Sequence, residues 1–170
     1  MHYPSHTMYL KKIFCWPPLL AGVGAAVTIT ILGYITYESI LSDTNYGLWL
    51  FASFGSSVVI VFGYPENDFS QPKNIFFGHL LTGFIGVCFL TFFEVNFITL
   101  GLAVGIAIML MIAFKITHPP AGGNTIAVML GGVSFPFLIF PIMAGSITII
   151  IGGIIYNSLI LKRKYPVSWK

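Results

Sequence analysis

Charged side chains are scarce in this chain. Its 170 residues include only 5 Asp and Glu and 8 Lys and Arg, and the stretch Ile116–Leu161 contains none of them. Hydrophobic residues make up 56% of the sequence, and the mean hydropathy is +0.91. This composition excludes a soluble domain and predicts an integral membrane protein whose main partner is the lipid bilayer.

Cysteine and catalytic motifs are also lacking. The only two cysteines, Cys15 and Cys88, fall in different predicted segments, which argues against a disulfide and a multi-cysteine metal site. We find no nucleophile elbow, no phosphate-binding glycine loop after a strand, and, within the apolar runs, no two histidines one helical turn apart. We therefore expect no enzyme, no metal and no other cofactor. The basic residues are scattered at predicted helix ends, so no nucleic-acid partner is expected either.

Long apolar runs dominate the sequence instead. Each of the first four runs is close to the ~20 residues that cross a bilayer, and the last is long enough to cross twice. The runs are Pro17–Tyr37, Gly47–Tyr64, Ile75–Phe93, Val95–Phe114 and Ile116–Leu161. They predict an all-α polytopic membrane protein, a single domain over residues 1–170, with about six transmembrane segments, some of them short or broken.

Six crossings from a cytoplasmic N-terminus place every basic residue on one side of the membrane. These are Lys11, Lys12, Lys73, Lys115, Lys162, Arg163, Lys164 and Lys170, and the opposite side holds Glu38, Asp43 and Glu94. A rival topology, in which the second and fifth runs only dip into the bilayer, places Lys73 and Lys115 outside, against the positive-inside bias. We expect both termini in the cytoplasm of a cell with a bacterial-type plasma (inner) membrane. The sequence leaves homo-oligomerisation open.

Two segments share a pattern that suggests an internal repeat. In both 55–63 and 123–131, a glycine and two small polar residues precede an apolar stretch that ends in glycine. A repeat would divide the chain into halves 13–93 and 95–161 with three crossings each, and an odd number of crossings inverts one half relative to the other. Only the glycines are identical, so a chance match of glycine-rich helices is the alternative.

The segment Lys115–Thr125 interrupts the apolar pattern. Pro119 and Pro120 must end or kink a helix that arrives through Phe114, and proline suits the first turn of a new helix. The first amides of that helix, predicted to be free, would attract an anion, with His118 and Lys115 adding positive charge. Gly55 would open a second helix of the same kind, and His79 lies inside the third predicted span. The candidate anion-binding residues are Gly55, Ser56, Ser57, Asn74, His79, Lys115, His118, Pro119, Pro120, Ala121, Gly122, Gly123, Asn124 and Thr125.

Simpler interpretations of these residues stay open. Residues 115–125 also fit a plain cytoplasmic loop with a solvated His118, in which the prolines serve as a stop signal. His79 also fits a neutral imidazole bonded to a neighbouring helix, since it lies about one turn from the basic side. The glycines near His79 are more typical of close helix packing than of a transport pathway.

Three motifs make the chain resemble the HPP family of integral membrane proteins. They are Thr117–Gly123 around His118-Pro119-Pro120, Phe54–Ser57 followed by Gly63 and Pro65, and Gln71–Asn74 with Gly78-His79. The resemblance implies four membrane helices, fewer than the six predicted here, and nitrite transport, which some members are assigned. The chain departs from the family's usual pattern after Gly122, the first glycine of the His-Pro-Pro motif. The family commonly has a small residue there, and this chain has Gly123-Asn124.

Two functions follow as hypotheses. The first is a transporter for a small inorganic anion, nitrite by resemblance, whose site lies between the two predicted helix openings and whose halves rock against each other. The second is a non-transporting membrane subunit or sensor that uses the broken helix as a hinge. A polar cavity beside the two glycine clusters would favour the first, and a dry, fully packed core would favour the second.

Overall fold

The structure, a computed structural model, describes residues 16–41 and 46–169, with side chains described for 18–35 and 52–169. Within these residues the chain forms six α-helices and no strand. We label them α1 Trp16–Leu41, α2 Tyr46–Gly63, α3 Pro72–Phe92, α4 Phe97–Ala113, α5 Gly122–Gly131 and α6 Leu138–Ile160. In α6 the α-helical part is Ala144–Gly153, with π-helical stretches Leu138–Met143 and Ile154–Ile160 on either side and non-helical dihedral angles at Phe140. Single 3₁₀ turns, Asp68–Ser70 and Pro119–Ala121, precede α3 and α5. The prediction of an all-α membrane protein is confirmed.

The six helices differ in length. Three stretches are long and apolar enough to cross a bilayer, namely Pro18–Ile35 in α1, Pro72–Phe92 and Leu138–Ile160. Shorter apolar stretches, Ala52–Gly63 and Phe97–Ala113, belong to α2 and α4. Helix α5 has ten residues, so it extends for only about 15 Å, half of a ~30 Å hydrocarbon layer.

The short helix α5 begins inside the bundle. The chain leaves α4 at Phe114, and His118 then packs against Gly78, the seventh residue of α3. That contact lies roughly 9 Å along the α3 axis from its start. At its other end α5 stops at Gly132, whose φ of 61° is the left-handed conformation that glycine adopts without strain. The structure therefore places the break of the chain within the helix bundle.

Glycines on α3 bring its neighbours unusually close. A Cβ on Gly78, Gly83 or Gly86 would lie within 3 Å of His118, Ile142 or Val128 respectively. The packing role predicted for these glycines is confirmed. It holds the 115–118 segment and α5 against the buried face of α3.

Basic residues gather at one end of the bundle, which we call the basic end. Here Tyr165 donates its hydroxyl hydrogen to Ser70 O at 2.8 Å, Gln71 Oε1 accepts from Val167 N at 2.8 Å, and Asn74 Nδ2 donates to Thr117 O at 3.0 Å. These bonds join the start of α3, the end of α4 and the segment after α6. Lys73, Lys115, Lys162, Arg163 and Lys164 all belong to these joined segments. Lys11, Lys12, Asp43, Lys170 and the side chain of Glu38 lie outside the described residues.

One predicted helix opening is wrong. Helix α2 runs without interruption from Tyr46 to Gly63, so Gly55 lies inside it and opens nothing. Ser56 donates its hydroxyl to the carbonyl four residues earlier at 3.1 Å, and the Ser57 hydroxyl lies 3.1 Å from Ser53 O, so both small polar residues are accommodated within an apolar helix. In both segments, 55–63 and 123–131, the helix ends at the predicted glycine. The repeat, and the halves 13–93 and 95–161, stay predictions.

Candidate functional site

Four buried polar side chains meet where α2, α3 and α5 converge on the broken segment. They are Ser57, His79, His118 and Asn124, each 0% exposed, and we call them the histidine network. All four were predicted site residues, and they come from parts of the sequence up to 67 residues apart. Buried polar groups in a membrane protein are costly unless they are bonded to one another, so the bonding pattern here is informative.

Ser57 joins the two histidines. Its Oγ lies 2.9 Å from His79 Nε2 and 2.8 Å from His118 Nε2, and the ring centroids are 5.0 Å apart. On the far side of His79, the ring of Phe54 lies 5.1 Å away, and it also fills the space where Gly145 has no Cβ. The pair is therefore held between a single hydroxyl and an aromatic ring.

The carbonyl of Phe69 determines where each proton of the network sits. His118 Nδ1 lies 2.6 Å from Phe69 O, which can only accept, so Nδ1 carries the hydrogen. In a neutral His118 ring, Nε2 is then an acceptor and Ser57 donates to it. Ser57 Oγ accepts in turn from His79 Nε2–H, which leaves His79 Nδ1 as an acceptor. The two histidines are thus opposite tautomers.

Asn124 completes the network and leaves one acceptor unused. Its Nδ2 lies 2.7 Å from His79 Nδ1 and 3.3 Å from His79 O. A carbonyl oxygen cannot donate, so the amide nitrogen must face His79 and the amide oxygen must face away. Asn124 Oδ1 then has no hydrogen-bond partner, although it is fully buried. Among the described residues only Asn157 Oδ1 shares this condition. A buried acceptor without a donor is costly, roughly 1–3 kcal/mol, so Asn124 Oδ1 is open to one further hydrogen-bond donor.

The histidine network carries no net charge at neutral pH. Burial lowers the pKa of His118 from 6.5 to about 4, and the bond to Phe69 O opposes this shift only in part. None of the hydrogen bonds to the four side chains in the described part of the molecule involves Asp, Glu, Lys or Arg. The network without a bound anion therefore supplies no positive charge, and a charged His118 in the anion-bound state stays a prediction.

The tautomers can be tested by nitrogen NMR. We expect histidine-selective 15N spectra at pH 7 to show His118 protonated at Nδ1 and His79 at Nε2. His118 should stay neutral as the pH falls through 6.5, where a free imidazole is half protonated, and should gain a proton only near pH 4. His79→Gln and His118→Gln assign the signals. A His118 signal protonated at Nε2, or half protonated at pH 6.5, would contradict the bonding described here.

Two of the four amides predicted to be free at the start of α5 are not available. Ala121 N donates to His118 O, and Gly122 N donates to the carbonyls of Pro119 and Pro120. The two prolines before them have no N–H at all. The 3₁₀ turn therefore removes these two donors, and the amides of Gly123 and Asn124 stay a prediction.

A groove lies beside the network. It has a volume of about 420 Å³ and is lined from both predicted segments, by Ala52, Ser53, Ser56, Pro119, Pro120, Gly123, Ile126 and Ala127. Its floor includes the bond from Ser53 Oγ to Pro120 O, at 2.6 Å. The carbonyl of the same Ser53 lies 3.1 Å from Ser57 Oγ. Only one residue thus separates the groove from the hydroxyl that joins the histidines.

The remaining predicted residues fall into two groups. Close to the network, Ala121 packs against Gly78, Thr125 donates to Thr82 O at 3.0 Å, and Gly55 and Gly122 have open space where a Cβ would lie. Asn74 and Lys115 do not join it. They line a separate pocket of about 310 Å³ at the basic end.

Two contributors were missed from the sequence. Ser53 could have been found, because it lies four residues before Ser57 and therefore on the same face of α2. The carbonyl of Phe69 could not, since a backbone oxygen carries no sequence signal. It fixes the tautomer of a histidine 49 positions away.

Comparison with known proteins also identifies the chain as a membrane protein. Residues 13–166 match the family model described as HPP, transmembrane region. Two transmembrane proteins of Dictyostelium discoideum are 32% and 31% identical over 149 and 151 residues, covering 83% and 84% of this chain. The matches cover 52% and 48% of those proteins, so the chain spans about half the length of the curated relatives it matches. No solved structure matches it. With nearly its whole length matched, the chain belongs to the HPP transmembrane family.

Proposed function

We propose that the protein is a membrane transporter for a small inorganic anion, with nitrite as the leading substrate, and that the histidine network is its binding site. The observation that carries this proposal is a buried polar network with an unused acceptor, next to a groove in an otherwise apolar bundle. A structural hinge has no need of a titratable pair at this depth, whereas a solute pathway does. No enzymatic step is part of the proposal.

The groove favours transport over the non-transporting subunit. It is lined by both segments that the sequence singled out, and Ser53 and Ser56 contribute hydroxyls to its wall. At about 420 Å³ it is far larger than an inorganic anion of three or four atoms. An anion in the groove would be separated from Ser57 by the Ser53–Pro120 hydrogen bond alone. We further propose that the basic end faces the cytoplasm of a plasma membrane, in keeping with the positive-inside bias.

Uptake of nitrite into proteoliposomes tests the function. We expect His118→Gln and His79→Gln to lower the uptake rate by at least about tenfold relative to the parent, because each removes a titratable member of the network. Thr148→Ala is a control, since the Thr148 hydroxyl donates only to Ala144 O of its own helix. Protein-free liposomes give the passive flux. Uptake by the parent that both glutamine variants retain would show that the site lies elsewhere, and no uptake above the passive flux would favour the non-transporting subunit.

A further inference from the structure

The two histidines and Ser57 can accept one additional proton without moving any non-hydrogen atom. Ser57 Oγ–H has two acceptors within reach, His118 Nε2 at 2.8 Å and Ser53 O at 3.1 Å. If the hydroxyl hydrogen turns to Ser53 O, both lone pairs of Ser57 Oγ face the two Nε2 atoms. His118 Nε2 can then carry a hydrogen and donate it to Ser57, while His79 Nε2–H keeps its own bond.

The network cannot accept a second additional proton in the same way. With both rings protonated, two cations would lie with ring centroids 5.0 Å apart, and roughly 3 kcal/mol of repulsion acts at that distance for an effective ε of ~20. His79 Nδ1 would also point a hydrogen at the Nδ2 donor of Asn124. The network therefore accommodates one added proton and disfavours a second.

Among the side chains that the structure describes, no other group compensates a charge at this position. Helix α2 presents Ser53, Phe54 and Ser57, and α5 presents Asn124 and Thr125, none of which titrates in this range. The part of α6 from Leu138 to Gly153, and the whole of α4, contain no titratable residue at all. Around the pocket at the basic end, Asp68 and Lys115 are exposed, and Lys73 follows the first residue of α3.

The unused oxygen of Asn124 adds a reason against binding an anion alone. It is a buried acceptor next to a neutral base, and a bare anion brings it no hydrogen. An anion alone would enter a site without positive charge, and a proton alone would charge a buried pair without a counter-ion. Each is unfavourable without the other, and such coupling is reciprocal.

We infer that the protein binds its anion together with one proton, held between His118, Ser57 and His79, and carries the two across the membrane as an electroneutral pair. This inference rests on the proposed function and adds the coupling ion and its stoichiometry. One N–H bond forms at His118 Nε2 when the anion and the proton bind, and the same bond breaks when they are released. No net charge crosses the membrane.

Nitrite binding as a function of pH tests the stoichiometry. We expect the Kd of purified protein for nitrite, above the pKa of His118, to fall about tenfold for each unit by which the pH is lowered, the dependence for one coupled proton. In proteoliposomes, uptake should follow an inward proton gradient and be unchanged by a potassium–valinomycin potential of either sign. Nitrite that binds with no pH dependence, or with about a hundredfold change per unit, would overturn the single proton and leave the transporter proposal intact.

Ser57→Ala removes the hydroxyl on which the mechanism depends. We expect it to weaken nitrite binding at pH 6 by at least about tenfold, because the His118 imidazolium loses its acceptor. Ser146→Ala is the matched control, since Ser146 is also 0% exposed and donates to a carbonyl four residues earlier, at 2.8 Å, but touches neither histidine. If the alanine variant is unstable, Ser57→Thr takes its place in the test. It keeps a hydroxyl and should therefore show pH-dependent binding. Ser57→Ala that binds as the parent does would refute the role of Ser57.

A proton count that needs no anion separates the two proposals. If nitrite does not bind at any pH, the 15N signals of His79 and His118 still report how many protons the pair takes up on acidification. We expect one ring to titrate and the other to stay neutral over the same range. Simultaneous protonation of both rings would overturn the inference by itself.

Discussion

Gly78→Val is expected to abolish transport and to destabilise the fold. A Cβ at this position would lie 2.9 Å from the Cβ of His118 and 3.2 Å from Ile116 O, and neither neighbour is the flexible end of a side chain. The 115–118 segment must therefore move away from α3. Overpacking of this kind costs about 1–3 kcal/mol in the free energy of unfolding. A displacement of about 1 Å in a bound geometry can reduce a rate on the order of 100-fold.

The comparison for this variant is Gly101→Val. Gly101 lies in α4, and nothing lies within 4 Å of the place where its Cβ would stand. Uptake rates in proteoliposomes and thermal unfolding in detergent should therefore separate the two valine variants clearly. A Gly78→Val protein that unfolds and transports like Gly101→Val would show that contact with α3 does not position His118.

Asn124→Asp is expected to lower nitrite affinity by more than 100-fold. A carboxylate at this buried position either repels the anion directly or holds the added proton on His79, and in both cases the anion loses its compensating charge. For an anion about 5 Å away and an effective ε of ~20, the repulsion is roughly 3 kcal/mol, which corresponds to more than 100-fold in Kd.

The same change on the surface provides the control for Asn124→Asp. Asn67 is exposed, and its Oδ1 accepts from Phe69 N at 2.8 Å, a capping role that aspartate fills equally well. Asn67→Asp should therefore bind nitrite as the parent does, measured by titration calorimetry at pH 6. Equal Kd values for the two aspartate variants would place the anion away from Asn124.

Local chemistry made part of the site predictable. The break at Pro119 and Pro120 follows from missing N–H groups and ring sterics, so it could be read directly from the sequence. The same reasoning failed in its next step, because the two prolines and the 3₁₀ turn leave Ala121 N and Gly122 N bonded to carbonyls rather than free. Which donors a helix start retains depends on the turn before it, and no single residue type encodes that.

Long-range placement accounts for the rest. Ser57 and His118 are 61 positions apart, and their contact depends on three glycines that let other segments approach α3. Gly55 was predicted to open a helix because small polar residues follow it, whereas their hydroxyls bond within α2. Glycine and serine in an apolar run are compatible with both outcomes, so only the fold distinguishes them.

The hydrogen bond from His118 Nδ1 to Phe69 O ends the network in a carbonyl that can neither take up a proton nor pass one on. A chain of exchangeable groups open at both ends would let protons cross unaccompanied and dissipate the gradient that drives uptake. With Phe69 O as its terminus, the network can store a proton but cannot relay it toward the basic end. In the proposed carrier, a dead end of this kind would prevent proton leakage while no anion is bound.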